Sequence, residues 1–258
     1  MVEVVLGVQF GPLSQLQAPH LGLFWQALKS RYPKTQAQPP LGPVVEVFGA
    51  RQPRVAGVRV EFRPLPPVPR VWFLNAEETR LIQVQQDRFL HNWRKVGKDD
   101  AYPRYEQIRT TFAEEYEAFG AFVRAEKLGL LVPNQCEVTY VNHIPCDFGE
   151  VDKVLTIWRA EYSGTFLGRP EEVRLAQRHL IDEPGGQPLG RLHVEARPAF
   201  RNEDGKPILR LILTARGAPV GQNMEGIGRF LDLGREWVVR GFAAVTTKEM
   251  HAIWGRRQ

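Results

Sequence analysis

From Tyr102 to Gly129 the chain carries a stripe of large apolar side chains: Tyr105, Ile108, Phe112, Tyr116, Phe119 and Val123 recur at three and four residues. That spacing brings side chains onto one face of an α-helix. Tyr102-Pro103 stands at its start, where proline suits the first helical turn, and Gly129 ends the pattern. Six such side chains on one face imply a helix laid over a sheet. Glu114, Glu115 and Glu117 are assigned to its opposite, solvated face.

Strand patterns surround this helix. Glu3 to Phe10 is apolar and β-branched and is broken by Gly11-Pro12. His20 to Tyr32 has helical spacing at Leu21, Phe24, Trp25 and Leu28, and Pro33 stops it. A proline-rich stretch follows, with PPLGP at 39–43, an alternating strand at Val58 to Phe62, and RPLPPVPR at 63–70. Strands are then expected at Arg70 to Asn75 and Leu81 to Gln85. After the Gln86-Asp87 bend, Phe89, His91 and Trp93 alternate with Leu90, Asn92 and Arg94. Beyond the helix, Cys136 to Ile144 alternates again, and Pro145 to Asp152 is the preferred boundary between halves at 1–148 and 149–258. The second half offers strands at Val154 to Phe166, Glu171 to Ile181, Gly190 to Phe200 and Ile208 to Ala215. A helix carrying Ile227, Phe230, Leu231, Trp237, Val238 and Phe242 follows, and Thr246 with Glu249 fits a capping box for a last turn. The expected class is α+β: antiparallel sheet covered by long amphipathic helices, either as two similar halves or as one strongly curved sheet. No residue-level repeat accompanies this echo.

At 258 residues the chain can bury roughly 70 to 75% of its unfolded surface, so the core needs no staple. With 43% hydrophobic and 24% charged residues it has the composition of a globular protein. Cys136 and Cys146 are too few for a disulfide framework, the N-terminus lacks a signal-peptide pattern, and no apolar run is long enough to span a bilayer, so a cytoplasmic protein without membrane contact is expected. The net charge of +5 is a mild excess, and mostly a matter of solubility.

The polar block IQVQQDRFLHNWRK, 82–95, is the main candidate for function. Gln83, Gln85, Asp87, Arg88, His91 and Asn92 could bind a base edge, a sugar or a peptide backbone through amide and guanidinium groups. Alternatively, the amides form a solvated sheet face, Asp87-Arg88 is a turn and Trp93 is core. Cys136, His143 and Cys146 have a C-x6-H-x2-C spacing that could grip zinc but lack the paired-cysteine pattern of structural sites, so no metal is assigned. RPLPPVP matches a PxxP ligand, with a rigid connector as the preferred role. The glycines of GQNMEGIG, 221–228, match neither a P-loop nor GxGxxG and read as a flexible helix entry; no cofactor is expected. Basic and aromatic residues alternate at Trp93-Arg94-Lys95, at Tyr102 to Tyr105 and in the terminal WGRRQ, a pattern suited to nucleic acid. Asp99, Asp100 and the acidic helix weaken that field.

QVQQDRFLHNWR, the following YPRY, the strand CEVTYVNHI and the closing TTKEMHAIWG together resemble an uncharacterised, sporadically distributed bacterial family of proteins of about this length. The resemblance spans nearly the whole chain. It implies an accessory role, such as defence or a toxin and antitoxin pair. Its motif falls on Gln83, Gln85, Asp87, Arg88, Asn92, Trp93, Arg94, Tyr102, Pro103 and Tyr105, and then on Tyr140 and Asn142; no catalytic role comes with it. The expectation is a non-catalytic binding protein whose partner is another protein, recognised by Gln83, Gln85, Asp87, Arg88, His91, Asn92, Arg94, Tyr102 and Tyr105. The alternative is a small-molecule carrier or enzyme using a sheet-helix cavity, with Arg88, His91 and Asn92 turned inward.

Overall fold

The computed structural model describes residues 1–48, 68–156, 166, 168, 170–182 and 186–255. Nine strands occur in it: β1 (Glu3–Phe10), β2 (Lys34–Gln38), β3 (Arg70–Leu74), β4 (Arg80–Gln85), β5 (Arg88–Arg94), β6 (Pro133–Pro145), β7 (Leu175–Asp182), β8 (Pro188–Phe200) and β9 (Pro207–Gly217). The α-helices are α1 (Ala18–Leu28), α2 (Tyr105–Ala125), α3 (Val151–Val154), α4 (Met224–Val245) and α5 (Lys248–Ile253). The strands form one sheet in the order β2-β3-β4-β5-β1-β6-β9-β8-β7, and the fold is α+β. Pairs β2-β3, β3-β4, β4-β5 and β7-β8 are antiparallel. Both halves of the chain order their elements alike: a strand, a short helical segment, a meander and a long helix. In each, the first strand neighbours the last of its own meander, β1 beside β5 and β6 beside β9.

Cα packing separates two compact units, one of residues 6–136 and 217–227, the other of residues 1–5, 137–216 and 228–258. In the first unit the stripe of α2 is buried as its spacing predicts, with Phe112, Phe119 and Val123 fully enclosed. Phe89 of β5 meets Phe112, Tyr116 and Phe119 at ring centroids of 6.1, 5.6 and 5.3 Å, and Phe119 also touches Phe10 of β1 and Phe24 of α1. Such tilted and edge-on pairs each add about 0.5–1.5 kcal/mol beyond the area they bury.

In the second unit α4 comes close to its strands through glycine. A Cβ on Gly234 would lie 3.1 Å from Val138 and 3.3 Å from Ala215, and one on Gly241 would lie 2.6 Å from Leu192. Arg216 of β9 donates two bonds to one carboxylate oxygen of Glu137 on β6, at 2.8 and 2.6 Å.

Several expectations need correction. Pro103 lies before α2, which begins at Tyr105 after Arg104, whose φ is 70°. Glu115 is on the buried face of α2, fully enclosed. Lys34–Gln38 is a strand at the start of the proline-rich stretch, where none was expected. Val154 closes α3, and Leu155 makes an isolated bridge to Thr246; most of the strand expected from there to Phe166 lies outside the described residues. The cap of α5 is Thr247, which accepts from the Met250 amide at 3.3 Å, one residue beyond the expected Thr246. Gly226 is inside the first turn of α4, and a Cβ there would lie 2.3 Å from the Val220 carbonyl oxygen, so this glycine permits close backbone approach. The strand at Val58 to Phe62, most of RPLPPVPR and the last residues of WGRRQ lie outside the described residues.

Candidate functional site

The antiparallel register of β4 and β5 sorts the polar block onto two faces. Gln85 sits opposite Arg88, Gln83 opposite Leu90 and Leu81 opposite Asn92 on one face; Val84 opposite Phe89, Ile82 opposite His91 and Arg80 opposite Trp93 on the other. Six of the nine candidate residues are buried, namely Gln83, Gln85, Arg88, His91, Asn92 and Tyr105; Asp87, Arg94 and Tyr102 are half-buried. They share no single exposed surface, and the amides of the block are not solvated.

On the first face Gln83 is a hub. Its Oε1 accepts from Arg70 Nη1 at 2.6 Å and from Trp72 Nε1 at 2.9 Å, while its Nε2 donates to Asn92 Oδ1 at 2.7 Å. Burial, followed by the nearby charge of Arg88, holds the Arg70 guanidinium below its ordinary value. Gln85 behaves differently. Its Oε1 accepts from the Leu41 amide and its Nε2 donates to the Leu41 carbonyl, both at 2.9 Å. Gln9 of β1 repeats this with Val44, at 3.1 and 2.8 Å. Arg88 donates to the Gly42 carbonyl at 2.9 Å, and Gln135 of β6 accepts from the Glu46 amide at 3.1 Å. The adjacent strands β4, β5, β1 and β6 thus each contribute one polar side chain to residues 41–46.

On the second face a fully buried carboxylate joins two other groups. Glu115 Oε1 accepts from the Tyr32 hydroxyl, and Glu115 Oε2 meets His91 Nδ1 at 2.7 Å. Tyr32, His91 and Glu115 are 2, 1 and 0% exposed. Burial, reinforced by the Glu115 charge, pushes the Tyr32 phenol far above its ordinary value and keeps it protonated. A carboxylate offers only acceptors, so the bond to His91 is made by Nδ1–H. In the neutral ring the lone pair is then at Nε2, which has no partner among the described residues.

Two cavities adjoin this centre. One of about 220 Å³ is lined by His91, Trp93, Arg80, Thr79, Gln107 and Thr111, with Pro103 and Ile108 beside them. The other, about 300 Å³, is lined by Tyr32, Glu115, Arg31 and Asn75 and shares Arg80 and Thr111 with the first. The Arg80 guanidinium has no ion-pair partner among the described residues.

The remaining candidates serve local structure. Asp87 Oδ1 accepts from Gln85 Nε2 at 2.5 Å. Arg94 donates to the Glu78 carbonyl at 2.7 Å and lies over the Trp72 ring. Tyr102 packs edge-on against Trp93, which is 4% exposed, so that tryptophan offers no free ring for a base to stack on. Cys136 is fully buried, which pushes its thiol up to about 12. Among the described residues no three His, Cys, Asp or Glu side chains are grouped to hold a metal ion, and no helix is long and apolar enough to cross a membrane.

Sequence reasoning missed Tyr32, Arg80, Glu115, Gln9 and Gln135. Glu115 had a signal, since it stands three residues after Phe112 and four before Phe119, on the apolar stripe itself. Tyr32, Gln9 and Gln135 depend on contacts 35 to 89 residues apart in sequence, which no local pattern records. In comparisons with protein-family models, curated proteins and solved structures, the chain matches none.

Proposed function

We propose that the protein acts by binding, and that its ligand is a small acid held in the cavity beside His91. The observation that carries this is the buried Tyr32, Glu115 and His91 network ending at the wall of that cavity. Burying a carboxylate and an imidazole costs several kcal/mol of desolvation, and apolar residues of similar volume often serve stability as well or better. Ionisable groups kept inside a fold at a cavity therefore favour a binding site over a structural role. Arg80, without an ion-pair partner among the described residues, supplies a cation at the same wall, Gln107, Thr79 and Thr111 supply neutral polar groups, and Trp93, Pro103 and Ile108 suit a short apolar body. At about 220 Å³ the space suits a molecule smaller than a drug-sized ligand. The proposal takes α2 to cover β4 and β5 and so to roof the cavity. The accessory setting implied by the sequence resemblance, defence or a toxin and antitoxin pair, stays attached to it as the cellular context.

Inorganic phosphate, succinate and benzoate are the probes. At 100 times its Kd a probe raises stability by about 2.7 kcal/mol, and the expected result is a rise in Tm with at least one of them, lost in Arg80→Met. If none of the three moves Tm, or if Arg80→Met responds as the wild type does, the proposal fails. A second reading, proton abstraction from the bound acid by His91 Nε2, is favoured by the carboxylate that fixes Nδ1. It requires deuterium exchange into the methylene groups of bound succinate that His91→Gln abolishes.

A further inference from the structure

Gln85, Arg88, Gln9 and Gln135 meet residues 41–46 at main-chain atoms. Each of Gln85 and Gln9 pairs with both the N–H and the C=O of one residue, as a neighbouring strand would. Main-chain hydrogen bonds are likewise the source of affinity in β-type peptide capture. The segment's own side chains contribute little to the contact: Leu41, Val44 and Val45 are 37, 39 and 56% exposed.

The reading groups are also held by one another. Gln85 Nε2 donates to Asp87 Oδ1 at 2.5 Å as well as to Leu41, and Gln9 Oε1 accepts from Arg88 Nη2 at 2.7 Å as well as from Val44. They would keep their orientation with the segment gone, so an arriving chain would meet a preorganised site and lose less entropy on docking. At the far end the fit is incomplete. Gln135 is 2% exposed, and its Nε2, buried, has no hydrogen-bond partner among the described residues.

We propose that Gln85, Arg88, Gln9 and Gln135 form a docking site for an extended segment of another polypeptide, read through its main chain, and that residues 41–46 occupy this site in cis until displaced. Tethering gives the resident segment an effective concentration in the millimolar range, so a partner must bind better than the segment or wait for it to leave.

The test uses the whole chain and a fluorescein-labelled peptide, PPLGPVVEVF, which is residues 39–48. Leu41→Pro with Val44→Pro removes the two amide donors and releases the resident segment. The double variant is expected to bind the peptide at least tenfold more tightly than the wild type. A peptide N-methylated at the residues equivalent to Leu41 and Val44 is expected to bind it at least tenfold more weakly than the unmodified one. A variant with wild-type Tm that binds no better than the wild type, or that binds the methylated peptide equally well, overturns the proposal. Hydrogen exchange on the wild-type chain tests it whether or not the variant folds: the Leu41 and Val44 amides should exchange at least 100-fold faster than the Ile82 and Val84 amides of β4, through local release. Exchange of all four at one rate means that the segment leaves only when the sheet unfolds, and the docking site is then not accessible to a partner.

Discussion

Replacing Glu115 by alanine should damage the protein far more than loss of one polar side chain from a helix ordinarily does. The carboxylate is fully enclosed and is the acceptor for Tyr32 and His91, which are 2 and 1% exposed, so its removal leaves two buried donors without their protein partner. Each buried donor left without a partner costs about 1–3 kcal/mol, giving roughly 4 kcal/mol for the pair. For a chain of this size 1 kcal/mol corresponds to about 2–4 °C, so Tm should fall by about 8–16 °C. Glu115→Gln separates charge from shape. Its carbonyl oxygen can still accept from Tyr32, while its NH₂ faces His91 Nδ1 and turns that nitrogen into an acceptor, moving the proton to Nε2. The glutamine variant should therefore lose about half as much stability as the alanine variant, and its His91 should change tautomer, which is visible in long-range ¹⁵N–¹H correlation spectra. An alanine variant within about 1 kcal/mol of the wild type by urea denaturation, or a glutamine variant with an unchanged His91 spectrum, would refute the reasoning.

The other consequences are quicker to check. Tyr32 and Tyr116 are both raised above their ordinary value, chiefly by burial, so their folded forms stay protonated while the unfolded chain ionises. The stability they provide is complete below pH of about 10 and falls above it, by about 1.4 kcal/mol per pH unit for each group, and urea titrations of Tyr32→Phe should show a shallower alkaline decline than the wild type. Gly226→Ala should cost more than about 2 kcal/mol, because its Cβ would lie 2.3 Å from a backbone oxygen; Gly22→Ala, with nothing within 4 Å in α1, should stabilise by up to about 1 kcal/mol. Equal thermal shifts in the two variants would contradict this. Gln83→Leu removes the acceptor of Trp72 and Arg70 inside the sheet face, whereas Gln85→Leu exposes Leu41 groups that water can reach; the first should cost about 2 kcal/mol and the second about half that, by chemical denaturation.

Most strands and both long helices were legible in the sequence because their signal is periodic and local. Phe89, His91 and Trp93 alternate with Leu90, Asn92 and Arg94, and β5 keeps that alternation. The stripe of α2 was equally plain, yet Glu115 was assigned by its charge to the solvated face when its position put it among the phenylalanines. A carboxylate overrides the hydrophobic pattern only when partners wait for it, and those partners, Tyr32 and His91, lie 83 and 24 residues away. The glutamines were recognised as able to pair with a peptide backbone, but the backbone they meet is their own chain's. Nothing in PPLGPVVEVF announces this, since Leu41, Gly42 and Val44 meet those side chains through main-chain atoms that their side chains do not reveal. The glycine of α4 was likewise read as a source of flexibility, whereas its missing Cβ makes room for the carbonyl of Val220.

The crossing of residues 41–46 over four strands fixes their number more tightly than their identity. Three gaps between strands span about 14 Å at about 4.8 Å each, and the five steps from Leu41 to Glu46 reach about 16 Å when extended at about 3.3 Å per residue. The slack is smaller than one residue. A deletion would stretch the reach to Gln135, and an insertion would shift the amides beyond its point of attachment, whereas exchange of Leu41, Val44 or Val45 for other residues with a free N–H would leave the spacing untouched.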